Sequence, residues 1–396
     1  MALSSNPDVI VVGAGVVGCS LAFHLTRAHA RVDLFDQGDV CSGMSARSGA
    51  LLRMHYTFAP EVELAWKSLG YFSHWAEVVG GECGFVRTGF ALIVGADNTE
   101  RIRRNVAMMK ALGVEVEVFD RQALREIDAS VNLDDVAMAA YEPQSGYADP
   151  LATTRGLAEA AERQGALFAL NSRVSEIVVE GGRVLGVRDP DGKTFFGGAV
   201  CLAAGPWTDR LLAPLGARIG IKTERAQIAF FRRDPARRHL AYIDCVSGSY
   251  LRPHGADLTL VGLGQWRPEA EPNPNDFVET NDVEFIDEVR RRLSHRIPSM
   301  QRASYAHGHA GIYDMSPDAR AVLGPVPGIA GLFVAAGFSG TGFKTAPAVG
   351  TAMAELILSG RSATVDLRPF GFERITSGHL IRTEEYVMGA GFGHSL

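Results

Sequence analysis

Asp8-Val9-Ile10-Val11-Val12-Gly13-Ala14-Gly15-Val16-Val17-Gly18 is an apolar run that feeds directly into a Gly-x-Gly-x-x-Gly turn. A short, uninterrupted β-branched run of this kind predicts a strand buried on both faces. Cys19 to Arg27 then has helical apolar spacing, and Val32-Asp33-Leu34-Phe35-Asp36 returns as a second strand that ends in an acid. Strand, glycine turn, helix, strand and acid together form a dinucleotide-binding unit. Gly13 makes the tight turn, Gly15 lets backbone approach a pyrophosphate, and Gly18 lets helix pack on strand. The helix N-terminus faces the phosphates, and Asp36 is placed for ribose hydroxyls.

The rest of the composition fits a large enzyme. With 396 residues and 46% apolar content the chain can build two domains with separate cores. A net charge of −6 leaves no nucleic-acid footprint. Met1 to Pro7 has no basic region, and the apolar stretch after it is broken by glycines, so neither a signal peptide nor a membrane span is expected and the cytoplasm is the default location. Cys19, Cys41, Cys83, Cys201 and Cys245 are odd in number and widely spaced, without a Cys-x-x-Cys, which predicts reduced, buried thiols and no zinc.

At the far end, Gly331 to Ala336 reads as a strand, Gly337-Phe338-Ser339-Gly340-Thr341-Gly342-Phe343-Lys344 as a glycine-rich loop, and Ala346 to Ser359 as a helix. Together with the N-terminal turn, this segment resembles the flavin-dependent amine and amino-acid oxidoreductases of the D-amino-acid oxidase superfamily, which includes the sarcosine and glycine oxidases. The resemblance runs from about Asp8 to Leu358. It includes Cys41 to Tyr56, Val200-Cys201-Leu202-Ala203-Ala204-Gly205-Pro206-Trp207, Tyr250-Leu251-Arg252-Pro253, and Ser316-Pro317-Asp318 to Pro325.

The resemblance implies FAD as cofactor and an α/β fold, a Rossmann-like FAD-binding domain interleaved with an antiparallel-sheet substrate domain. The FAD domain would take residues 1–80, 147–220 and 320–370, the substrate domain 81–146 and 221–319, and residues 371–396 a C-terminal tail. Alternating runs such as Gln227 to Phe231 and Asp257 to Val261 favour an antiparallel sheet roofing the flavin. Gly181-Gly182 and Asp191-Gly192 predict hairpin turns, and Glu269 to Asn275 an exposed loop. The implied cofactor contacts begin with Gly13, Gly15, Val16, Val17, Gly18, Asp36 and Gln37. They continue through Ser45, Ala46, Arg47 and Ser48 to Val174, Ala204, Gly205 and Trp207. The last loop adds Gly337, Gly340, Thr341, Gly342, Phe343 and Lys344.

Lysine occurs only at positions 67, 110, 193, 222 and 344, so Lys344 inside the flavin loop needs a specific reason. In the sarcosine oxidases the lysine of the same Gly-Phe-Ser-Gly-x-Gly-Phe-Lys order binds the substrate carboxylate with an arginine after the second strand, and Arg53 falls on that arginine. A guanidinium fork and an ammonium point charge suit a carboxylate. Arg252 is the alternative, as an arginine on the substrate sheet serves the glycine and D-amino-acid enzymes. His55, Tyr56, Tyr250, Trp266 and His309 are further pocket candidates, each equally readable as core filling.

Two departures bear on the chemistry. Where the sarcosine oxidases carry the cysteine that attaches flavin, alignment on the following Tyr-x-x-x-Pro-Asp places Gly311. Where relatives link flavin through a histidine after the second strand, Arg47 stands, with His55 nearby. FAD held without a covalent bond follows. The sarcosine oxidases also carry a lysine over the flavin, and this chain has none between Lys222 and Lys344, which leaves oxygen and another electron acceptor both open. The expected activity is oxidation of a small amino acid or N-methyl amino acid by hydride transfer to flavin. A flavin dehydrogenase of a 2-hydroxy acid and a flavin-bearing subunit completed by partner chains are the rivals.

Overall fold

The computed structural model describes residues 3–4, 6–264 and 271–386. Val9–Val12 lies in the middle of a six-stranded sheet, parallel to Val32–Phe35 on one side and Ala199–Leu202 on the other. Leu167–Ala169 extends the sheet in parallel beyond Val32–Phe35, Leu332–Ala336 does so beyond Ala199–Leu202, and Val322–Pro325 closes that edge antiparallel. All four residues of Val9–Val12 are buried, because helices cover one face of the sheet and a three-stranded meander the other. The helices are Val16–Arg27, Pro150–Arg163 and Gly342–Ser359. The meander Glu176–Glu180, Arg183–Arg188, Thr194–Phe196 has its hairpin bends at Gly181-Gly182 and at Gly192, all with positive φ.

A second sheet has eight strands. Its order is Tyr305–Met315, Lys222–Arg232, Leu258–Leu263, Ser249–His254, Ala241–Asp244, Phe90–Val94, Met138–Glu142 and Glu117–Phe119. The expected purely antiparallel sheet is corrected at one place: Ala241–Asp244 runs parallel to Phe90–Val94. These strands belong to different excursions of the chain, so no hairpin constrains their relative direction. Among the described residues, no helix is long and apolar enough to cross a membrane.

Two terminal expectations change. The last helix begins at Gly342, so Lys344 occupies its first turn and is not part of the preceding loop. Residues 371–386 are not a free tail. Phe372 is buried, Arg374 pairs with Asp318 at 2.8 Å, and the Ile381 N–H donates to the same carboxylate at 3.0 Å. Glu385 pairs with buried Arg320 at 2.6 Å. These anchors are side chains scattered over the fold, and no local periodicity announces them.

Arg296 ties helix Val283–Arg296 to the end of strand Ala241–Asp244, with its Nε 2.8 Å from Asp244 and both side chains 0% exposed. Asp135 takes the other side of the guanidinium at 2.8 Å. Arg296→Met removes the cation and leaves a buried carboxylate unpaired, so it is expected to destabilise the fold by about 3–5 kcal/mol in urea unfolding.

Candidate active site

The glycine turn brings backbone against backbone. Gly13 has φ +117°, and a Cβ there would lie 2.3 Å from the Ala203 carbonyl oxygen; one on Gly18 would lie 1.8 Å from the Gly13 carbonyl oxygen. Any side chain at either position would push the two strands or the helix apart. Gly15 caps the helix without a side chain, and the Val16 N–H is taken by Ser45 Oγ at 2.9 Å. Asp36 accepts the Ala14 N–H at 2.6 Å and the Gly38 N–H at 2.8 Å, so it shapes the turn directly. Burial raises its pKa against those two bonds.

From this turn a cavity of about 800 Å³ extends under the eight-stranded sheet. One end is formed by Asp36, Gln37 and Val174, the other by Arg53, Tyr250 and Lys344. Between them lie Gly13, Gly15, Val16, Val17, Ser45, Arg47, Ser48, Ala204, Gly205, Trp207, Gly340, Thr341, Gly342 and Phe343. The segments come from four distant parts of the sequence.

Seven expected site residues are not on this wall. Gly18 is spent on packing, Ala46 lies in the short turn Met44–Arg47 without reaching the cavity, and Gly337 donates its N–H to Asp314 at 2.8 Å. His55 is buried behind the wall with Nε2 2.6 Å from the Tyr386 hydroxyl, and burial lowers its pKa to about 3. Tyr56 is also buried behind the wall, its ring 4.3 Å from the Arg53 guanidinium. His309 lies behind Arg47, 3.3 Å from its carbonyl oxygen. Arg252 donates to the Gly49 carbonyl at 2.6 Å and the Pro253 carbonyl at 2.8 Å and stacks on Tyr147 at 4.2 Å. It braces the sheet and is not available as a carboxylate binder on the cavity wall. Trp266 and residues 269–270 of the expected loop lie outside the described residues.

Sequence reading missed Tyr313, Asp314 and the stretch around Asn275. Tyr250 donates its hydroxyl hydrogen to Tyr313, and the Tyr250 ring crosses Gly262, where a Cβ would be 2.1 Å from its Cζ. Alternation along strand Tyr305–Met315 would have found Tyr313, which shares a face with Gly311. Asp314 anchors the last loop, and burial pushes its pKa up to about 6. Asn275 accepts from Trp207 Nε1 at 2.6 Å, and Glu279 pairs with Arg47 at 2.6 Å.

Electrostatically the inner end is unusual. Arg53 is 6% exposed, Lys344 sits beside it, and neither cation has a carboxylate within 4 Å among the described residues. The Arg53 guanidinium donates to the His55 carbonyl. The neighbouring carboxylates are committed elsewhere, Glu61 to Arg320 at 3.0 Å and Glu142 to the Met54 N–H at 2.9 Å. Basic side chains withdrawn from water without a counter-charge mark a candidate site for an anion. The five cysteines are free and buried, with thiol pKa values raised by desolvation, and no group of three or more His, Cys, Asp or Glu among the described residues could hold a metal.

A glycine turn of the dinucleotide-binding kind, continued by a sheet-roofed chamber with Arg53 and Lys344 on its wall, fits a nucleotide-cofactor oxidoreductase. The chain belongs to the FAD dependent oxidoreductase family (DAO), whose model matches residues 8–356, and it is an FAD-dependent oxidoreductase. It is 27% identical to glycine oxidase of Geobacillus kaustophilus over 376 residues, covering 93% of this chain and 97% of that one. It is 24% identical to sarcosine oxidase subunit beta of Rhodobacter capsulatus over 397 residues, covering 98% and 92%. The crystal structure of L-proline dehydrogenase from P. horikoshii superposes with a TM-score of 0.89 at 24% identity, covering 96% of this chain and 100% of that chain, a likeness of fold. The residues fit FAD: Gly13 and Gly15 present backbone without side chains to the cavity, and helices Val16–Arg27 and Gly342–Ser359 both start at the wall with no cap bond from the N-cap side chain.

Asp36→Ala takes away the acceptor of two backbone N–H groups that form the cradle. Each charge-assisted bond is worth about 1.5–3 kcal/mol, so FAD affinity should fall at least about tenfold while far-UV circular dichroism is unchanged. Titration of the apoprotein with FAD measures it.

Proposed function

We propose that the protein oxidises the carbon–nitrogen bond of a small amino acid or N-methyl amino acid whose carboxylate is held by Arg53 and Lys344. One observation carries this reading: two basic side chains, buried Arg53 and part-buried Lys344, stand on the cavity wall with no carboxylate in ion-pair contact among the described residues. Bound FAD supplies the hydride-accepting redox chemistry. The glycine turn, Asp36, Ser45, Ala204 and Trp207 would hold its dinucleotide part, and Gly340 to Lys344 would face its ring. The guanidinium fork of Arg53 fixes the orientation of the carboxylate, which aims the amine-bearing carbon. The Arg53 fork is itself held by the His55 carbonyl and the Tyr56 ring. Tyr250 and Tyr313 line the same cavity.

Support comes also from relatives of similar length that act on glycine or sarcosine by name. The cofactor is held without a covalent bond in this reading. Gly311 offers no thiol, and a Cβ there would already lie 3.0 Å from Arg47 Cβ; His55 is buried and engaged by Tyr386. Acid precipitation should therefore release all the yellow colour into the supernatant, and flavin retained by the pellet would show a covalent link.

Anaerobic mixing with a panel of sarcosine, glycine, D-amino acids, proline and 2-hydroxyglutarate tests the activity itself. Bleaching of the flavin by amino or N-methyl amino acids is expected; bleaching by the 2-hydroxy acid alone would replace amine oxidation by alcohol oxidation, and bleaching that requires copurifying chains would make the protein a flavin-bearing subunit. Arg53→Met and Lys344→Met should each leave FAD bound and cost about 2–5 kcal/mol in kcat/KM for carboxylate-bearing substrates. A simple amine lacking the carboxylate should be affected far less. Equal losses for both classes would make these residues flavin-positioning groups.

A further inference from the structure

Lys344 occupies the first turn of helix Gly342–Ser359, where the helix N-terminus already contributes partial positive charge. Its ammonium nitrogen is 5.9 Å from the Tyr56 ring and has no hydrogen-bond or ion-pair partner among the described residues. The groups facing it come from four elements. Arg53 and Tyr56 follow strand Leu51–Leu52, and Glu61 lies in the first turn of helix Ala59–Ser73. Tyr250 and Tyr313 stand on the sheet across the cavity. Among the described residues, Glu61 is the carboxylate that acts on Lys344, and Glu61 pairs with Arg320 at 3.0 Å, which in turn pairs with Glu385. A lysine that is part-buried, beside a guanidinium and at a helix N-terminus has three reasons to lose its proton. Burial first and Arg53 second hold its pKa well below the usual lysine value, against a smaller opposing effect of Glu61.

An amino acid arrives as a zwitterion, and a hydride leaves its carbon only once the nitrogen lone pair is free. We propose that Lys344 rests as a neutral amine and is the base that removes the proton from the substrate ammonium as the carboxylate docks, an assignment that rests on the carboxylate-clamp reading above. The substrate N–H bond breaks with its electron pair left on the substrate nitrogen, and a new N–H bond forms at Lys344 Nζ. The result is a neutral amine held by a carboxylate that now faces two cations, Arg53 and protonated Lys344. No proton is exchanged with solvent. The arriving carboxylate raises the proton affinity of Lys344 at the moment the substrate must lose a proton, so binding and activation become one event.

Acetate supplies the carboxylate without the ammonium and is the probe. Calorimetry of acetate binding to the holoenzyme at pH 8, in buffers of different ionisation enthalpy, should show uptake of about one proton per acetate bound. Lys344→Arg keeps a charge that cannot be given up, so it should bind acetate with no uptake. Acetate binding without uptake in the wild type overturns the proposal and leaves the clamp standing. Uptake that persists in Lys344→Arg also overturns it and moves the proton to Glu61. Absence of acetate binding overturns the clamp and the proposal together. Flavin reduction gives a second readout. For a zwitterionic substrate, kcat/KM should vary by less than about threefold between pH 7 and 9 in the wild type, and rise about tenfold per pH unit in Lys344→Arg, because only the small neutral fraction of substrate then reacts. Identical pH profiles would overturn the assignment.

Discussion

The approach of Gly13 to Ala203 is the constraint on which the rest of this structure depends. Two segments nearly 200 residues apart meet with no room for a side chain, and the helix that starts at Val16 is drawn down onto them through Gly18. Only backbone can then line that stretch of the cavity, and backbone N–H groups are the donors a pyrophosphate needs. The close approach also sets the position of the neighbouring parallel strand Leu332–Ala336, and hence of the loop that delivers Lys344.

The other end of the cavity is governed by charge. Placing two basic groups, Arg53 and Lys344, together and largely away from water costs stability, whether as charge withdrawn from water or as a lysine that gives up its proton. The structure braces Arg53 from behind. The His55 carbonyl and the Tyr56 ring hold the guanidinium, while Glu61 offsets part of the charge from behind without entering contact with it. Glu61 is 3% exposed, and burial raises its pKa to about 7 despite Arg320, Arg53 and Lys344 nearby. The side left open is the cavity. A site that is electrostatically incomplete in this way gains most from a ligand of opposite charge.

The segment 381–386 contributes to the same region from the far end of the chain. Tyr386 bonds His55 at 2.6 Å and receives the Asn105 amide at 2.9 Å, so one hydroxyl joins the clamp segment to helix Thr99–Ala111. Glu385 and Thr383 bond Arg320, the partner of Glu61. The segment that carries Arg53 therefore has a covering layer that holds it without touching the cavity.

The sequence alone determined the features that are written locally. The run from Val9 to Gly18 requires a strand, a turn that only glycine can make and a helix, because each step depends on residues a few positions apart. The glycine-rich loop after the last strand was legible for the same reason, the scarcity of lysine singled out Lys344, and Arg53 was indicated by the resemblance to the sarcosine oxidases. Tertiary structure decided which side chains share a space. It turned Arg252, on the same sheet as Tyr250, into a brace because the Gly49 carbonyl lies within 2.6 Å. It put His55 and Tyr56 behind the wall when Arg53, two and three residues earlier, is on it, and it set Tyr313 on Tyr250. It also carried residues 371–386 back across the molecule to Asp318, Arg320 and His55. These outcomes depend on distances between segments far apart in the chain, which spacing along a sequence does not encode, whereas backbone conformation is set by neighbours and can be read from them.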